Sequence, residues 1–200
     1  MQPEDLDAVL ETLVSGFGQD PLYRWLYPDD EDRPQRLAEV FDLVVRAALA
    51  SDSAWVTTDL RAVAVYTRTG VDLVDDDLGK RYVALLERQI GAHRAADAAA
   101  GMAACADQVP STPHDTLHSI AVDARHQGQG LGLKLLAHLV GDADRRKCPV
   151  HLDSSNPRNV TFYRRLGFEQ VAAVELPGDG PVMRTMWRPA EGGRRPAPGR

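Results

Sequence analysis

Residues 115–132, DTLHSIAVDARHQGQGLG, restrict the fold of this chain more than any other stretch. The pattern predicts a strand over 116–122, a tight loop over 123–130 and the start of a helix. That helix places Leu133, Leu136, Leu139, Val140 and Ala143 on one face at helical spacing. Gly128 and Gly130 allow the backbone to turn sharply and gather main-chain N–H groups. A helix N-terminus adds unpaired N–H groups and a partial positive charge. A strand, a glycine loop and a helix in this order call for an α/β domain, and suit main-chain binding of a phosphate or pyrophosphate. An ordinary glycine-rich turn between a strand and a helix is the plainer alternative.

Motif spacing narrows the choice. A nucleotide P-loop requires Lys-Ser/Thr after its glycines, and none follows here. The dinucleotide pattern fails as well, because Gly128, Gly130 and Gly132 are each two residues apart. Within the strand, Ile120 and Val122 alternate as half-buried positions should, while Leu117 is out of phase. A β-bulge near His118 and Ser119 would return Leu117 to the inner face. A straight strand with Leu117 facing the opposite layer also fits.

The remaining elements follow from periodicity and caps. Residues 3–17 predict a helix with Pro3 and acidic residues at its start and Leu6, Val9, Leu10, Leu13, Val14 and Phe17 as its buried stripe. Residues 16–28 read as a loop or broken helix carrying Tyr23, Trp25 and Tyr27, which either floor a substrate pocket or plug the core. A second helix covers 34–50, a hairpin joins strands at 54–58 and 62–68, and a helical run spans about 78–99. The alanine-rich 95–106 stretch is helix or a mobile extension of one. A short strand covers 149–153. Asn156 and Pro157 open a further helix that Gly167 closes. Strands at 168–175 and 181–188 finish a single domain over 1–188, with a Pro/Gly/Arg-rich tail over 189–200 expected to be disordered.

Two motifs in this order carry a resemblance. Arg125-x-x-Gly128-x-Gly130, extended through Gln127–Gly132, resembles the acetyl-coenzyme A pyrophosphate loop of the GNAT N-acetyltransferases. NPRNVTFYRRLGF at 156–168 is similar to that family's downstream motif. The likeness extends to the members that acetylate puromycin. It implies a mixed, mostly antiparallel twisted sheet with helices on both faces; the strand that opens the family's domains is either missing here or Met1 is not the natural start. It implies acetyl-CoA held by Ile120, Ala121, Val122, Arg125, Gln127, Gly128, Gln129, Gly130, Leu131, Gly132, Asn156, Asn159 and Tyr163. The reaction would be transfer to the primary amine of a small molecule, an antibiotic such as puromycin among them, by a monomer or homodimer. Tyr163 would protonate the leaving thiolate, with a core aromatic as its structural alternative. A backbone amide on the central strand would stabilise the developing oxyanion. His118, Asp115, Asp153 or water would take the amine's proton, His118 being as readily structural. Acetylation of a protein lysine or N-terminus, and a non-catalytic acyl-CoA-binding regulatory module, are the rival readings.

Composition excludes other classes. A net charge of −6 leaves no basic footprint for nucleic acid or an anionic membrane. Cys105 and Cys148 share no CxxC spacing and read as reduced thiols in a cytoplasmic protein. The first ten residues lack a basic leader, and no apolar run approaches the roughly 20 residues of a membrane span. His114 with His118, and His151 with Asp153, lack a third metal ligand, so no metal is expected.

Overall fold

The computed structural model describes residues 1–190 and residue 193. Among these, a 3-10 turn at Pro3–Asp5 leads into α1 (Leu6–Phe17), α2 (Pro21–Leu26) and α3 (Arg33–Ala50). The hairpin β1 (Ala54–Val56) and β2 (Ala62–Thr67) follows, then α4 (Asp76–Ile90) and α5 (Ala92–Ala106). The second half runs β3 (Asp115–Val122), α6 (Leu131–Arg145), β4 (Val150–Ser154), α7 (Pro157–Arg164), β5 (Glu169–Glu175) and β6 (Val182–Arg188). The strands form one sheet in the order β1-β2-β3-β4-β6-β5. Only β3 and β4 are parallel; every other pair is antiparallel.

Strand alternation divides the core between two faces. Ala62, Ala64, Tyr66 and Leu117 pack with Leu136, Leu139 and Val140 of α6 and Tyr163 of α7. Val63 and Ala121 face the other way, against α1, α3, α4 and α5. Every residue of β2 is buried, which is why it reads as a continuous apolar run. No described helix is long and apolar enough to cross a membrane.

Two elements differ from the sequence pattern, and between them one open alternative is decided. The single helix expected over 78–99 is two, because Gly91 takes φ +82° and its N–H closes α4 on the Glu87 carbonyl. The alanine-rich stretch is a packed helix: a Cβ at Gly101 would lie 2.4 Å from Leu176 Cδ2, so small residues let α5 approach the chain between β5 and β6. In α6 the buried stripe is Gly132, Leu135, Leu136, Leu139, Val140 and Ala143, which leaves Leu133 half-buried and out of phase. The described residues open on a helical turn with no strand before it. Of the tail over 189–200, residues 189, 190 and 193 are described; the expectation of disorder otherwise lies outside the described residues.

Asp115 is a correction of function as well as of structure. It is fully buried at the start of β3 and accepts from the Tyr66 hydroxyl at 2.6 Å, the Thr69 N–H at 2.9 Å and the Arg146 guanidinium. Burial pushes its carboxyl up, but these hydrogen bonds outweigh burial and hold it below the usual range. All its capacity is spent on donors, so it is a structural anchor and not a proton acceptor.

Candidate active site

The parallel pair makes the site. β3 and β4 are bonded only from Asp115–Val150 to Leu117–Leu152. In the pairing of β2 with β3, Val65 faces Ser119 and Tyr66 faces Leu117. His118 is therefore the extra residue of a β-bulge, and Leu117 returns to the core at 3% exposure. Beyond the bulge, Ala121 and Val122 stay with β2, while Asp153 and Ser154 stay with β6. The two strands part into a V, and Ile120, Ala121 and Val122 on β3 have no ladder partner on the β4 side.

The glycine loop lies at the β3 arm. Asp123 accepts the Arg125 N–H at 2.9 Å and the Arg125 guanidinium at 2.7 Å, and these bonds hold its carboxyl well below the usual range. Arg125 thus braces the turn with its guanidinium. Gly128 and Gly130 take φ of +79° and +78°, conformations that glycine adopts without steric cost. Gly130 is the N-cap of α6 and no side chain caps it. The Leu131, Gly132 and Leu133 N–H groups stand in the first turn, where no intrahelical acceptor exists. A Cβ at Gly128 or Gly130 would meet nothing within 4 Å, whereas one at Gly132 would lie 3.2 Å from Val122 Cγ2. The outer glycines shape an open cradle; Gly132 lets the helix start tight against the strand. Gln127 donates to the Val122 carbonyl at 3.2 Å, and Gln129 is exposed.

The other arm leads into α7. Asn156 caps it by accepting the Arg158 N–H at 3.0 Å, and Asn159 sits half-buried one turn on. Tyr163 is 5% exposed, edge-on to Phe162 and Phe168. Burial, reinforced by the charge of Asp20, raises its hydroxyl well above the ordinary tyrosine pKa.

Asp20 is the residue that sequence reasoning passed over. It accepts from the Leu22 N–H at 3.0 Å as N-cap of α2, and from the Ser155 hydroxyl at 2.6 Å at the end of β4. Burial raises its pKa despite these bonds. Four residues earlier, Gly16 lies against β3: a Cβ there would be 2.8 Å from Ala121 Cβ. Residues 16–20 therefore cross from one arm of the V to the other. Asp-Pro is a legible helix start, but nothing in the sequence joins Asp20 to Ser155.

The remaining candidates separate. His118 accepts or donates through Nε2 to Thr67 Oγ1 at 3.0 Å. The residue is exposed at the bulge, while desolvation of its ring, with a smaller contribution from His151, draws its pKa down. His151 Nε2 lies 3.4 Å from Asp153 Oδ2; the Nε2, Asp153 Oδ1, Ser119 Oγ and Thr185 Oγ1 are buried without a hydrogen bond. Tyr27 takes the core role, fully buried with its hydroxyl donating to Gln89 at 2.6 Å. Tyr23 packs edge-on against Phe17 and Phe41, and Trp25 lies under Arg94; both are partly accessible. Among the described residues no three His, Cys, Asp or Glu side chains converge as a metal site.

Residues 54–168 match the model of the acetyltransferase (GNAT) family. The chain is 31% identical over 83 residues to the 5-NmdU N-acetyltransferase of Pseudomonas phage PaMx11, covering 42% of this chain and 59% of that protein. It is 36% identical over 66 residues to the L-methionine sulfoximine/L-methionine sulfone acetyltransferase of Salmonella typhimurium, 30% of this chain and 37% of that protein. The matches thus span between about a third and three-fifths of those relatives. The structure of a histone acetyltransferase HPA2 and related acetyltransferase from Corynebacterium glutamicum superposes with a TM-score of 0.69 at 20% identity, over 98% of this chain and 96% of that one. At that identity the likeness speaks for the fold.

Proposed function

The chain belongs to the acetyltransferase (GNAT) family, and from that membership we propose that it transfers the acetyl group of acetyl-CoA to the primary amine of a small molecule. The observation that carries this reading is the parting of β3 and β4 beyond the His118 bulge, with the glycine cradle on one arm and Tyr163 beside the other. Main-chain N–H groups over 127–132 would take the pyrophosphate at the uncapped start of α6, aided by its dipole. The free edge at Ile120, Ala121 and Val122 would line the pantetheine, with Asn156 and Asn159 across from it. Arg125 would hold the loop in shape through Asp123.

Bound acetyl-CoA supplies the thioester. An N–H on the unpaired edge of β3 opposes the negative charge that grows on its carbonyl oxygen. The Tyr163 hydroxyl, protonated at pH 7 as an ordinary tyrosine is, would give its proton to the departing sulfur. The relative named for transfer to L-methionine sulfoximine and L-methionine sulfone supports an amine of that size. Two buried free thiols, Cys105 and Cys148, fit a reducing, cytoplasmic setting.

Coenzyme A release, followed with a thiol reagent across puromycin, methionine sulfoximine and simple amines, tests the reading. Tyr163→Phe should lose about 10²-fold or more in kcat while acetyl-CoA still binds. Turnover of peptide N-termini alone would move the acceptor to proteins. Failure to bind acetyl-CoA would refute the reading outright.

A further inference from the structure

We propose that Asp20 receives the acceptor's ammonium at the mouth of the V and takes its proton. This rests on the acetyl-transfer reading and adds the group that reading leaves unassigned. Amine attack requires a neutral nitrogen, so a proton must leave before or during attack.

Position selects Asp20 over the other acids and bases. It ends the segment that bridges the two arms, from Gly16 on Ala121 to Ser155 beyond β4. Its charge adds to burial in raising the Tyr163 hydroxyl, so the two side chains lie near one another. Asp115 is consumed by Arg146 and Tyr66. Asp153 has Oδ2 3.4 Å from His151 Nε2 and Oδ1 buried, and His118 shares its Nε2 with Thr67 Oγ1. Three donors already point at Asp20: the Ser155 hydroxyl and the Leu22 and Tyr23 N–H groups. A carboxylate offers about four lone-pair positions, which leaves room for an ammonium.

The charged and titratable groups around it are few. Tyr23 on α2 and Tyr163 on α7 are both held protonated by burial. Arg184 on β6 donates to the Ser155 carbonyl at 3.4 Å and to the Val182 carbonyl at 2.9 Å. Arg33 on α3 donates to the Gly18 carbonyl and pairs with Asp30. No cation among these pairs with the Asp20 carboxylate directly, and burial leaves it a stronger base than a surface aspartate.

Proton and bond changes balance. The ammonium gives one proton to Asp20. The free amine forms the C–N bond, the C–S bond breaks, and Tyr163 protonates the sulfur. The second amine proton restores Tyr163, and Asp20 releases its proton to water.

Asp20→Asn isolates the charge, because asparagine is as good an N-cap as aspartate. We expect kcat/KM at pH 7 to fall about 10²-fold or more, with acetyl-CoA affinity within about twofold of wild type. The acid limb of the pH–rate profile should be lost. Ser155→Ala removes a hydrogen bond that favours the carboxylate, so it should move that limb to higher pH. Carbon-13 titration of the Asp20 carboxyl in the coenzyme A complex, with and without a simple primary amine, reads ammonium binding independently of turnover. A fall in the Asp20 pKa on amine addition supports the proposal even if the wild type proves inactive and the acetyl-transfer reading fails. An Asp20→Asn enzyme with the wild-type rate and profile, or a carboxyl that ignores the amine, overturns it while leaving acetyl transfer standing.

Discussion

Replacing Asp115 by asparagine should be among the costliest conservative changes in this protein. The side chain is fully buried, and donors converge on both oxygens. Oδ2 receives the Tyr66 hydroxyl and an Arg146 nitrogen; Oδ1 receives the Thr69 N–H, the other Arg146 nitrogen at 3.1 Å and the Cys148 thiol at 3.2 Å. An amide NH2 therefore faces a donor whichever way it is flipped. A hydrogen bond to a charged group contributes about 1.5–3 kcal/mol, and removing one member of a buried ion pair costs about 3–5 kcal/mol. Arg146 softens the loss, because its side chain is 32% exposed and it keeps Asp142 at 3.1 Å. The expected cost is about 3 kcal/mol, or a fall in Tm of about 6–12 °C for a chain of this size. Urea unfolding at pH 7 measures it. The native pKa of Asp115 is depressed, so its contribution is complete above the unfolded value near 3.9 and is lost as the pH falls through the native one. Wild type and variant should converge in acid. A difference below about 1 kcal/mol at pH 7, or one that persists undiminished at the lowest pH that keeps both folded, would refute the anchoring role.

Two glycine substitutions probe the arms of the V. Gly130→Ala should cost about 1–2 kcal/mol through its φ of +78°, and should weaken acetyl-CoA binding about tenfold or more by calorimetry, since the new methyl fills the cradle. Gly16→Ala puts a methyl 2.8 Å from Ala121 and 3.0 Å from the Val122 carbonyl, so it should destabilise by about 1–3 kcal/mol and raise the acetyl-CoA KM. Gly79→Ala, in α4 with nothing within 4 Å, should instead stabilise by about 1 kcal/mol in the same denaturation assay.

Local pattern alone determined much of this protein. The strand, glycine loop and helix over 115–132 were legible because each rests on near-neighbour rules: alternation, positive φ at glycine and helical stripes. Asn156, Pro157 and Gly167 bounded α7 for the same reason. Leu117 even betrayed the bulge by falling out of phase, although its alternative, a straight strand, was excluded only by the register against Tyr66. Gly91, which splits one long helical run into two, was visible in the sequence but indistinguishable from a glycine tolerated within a helix. Tertiary structure decided the rest, because the deciding contacts join residues far apart in the chain. Asp115 became an anchor through Arg146, 31 residues on. Tyr27 became core through Gln89, 62 residues away. Asp20 meets Ser155 across 135 residues. A carboxylate's protonation and reach depend on what desolvates it and which donors meet it, and those neighbours are assembled by packing rather than written beside it in the chain.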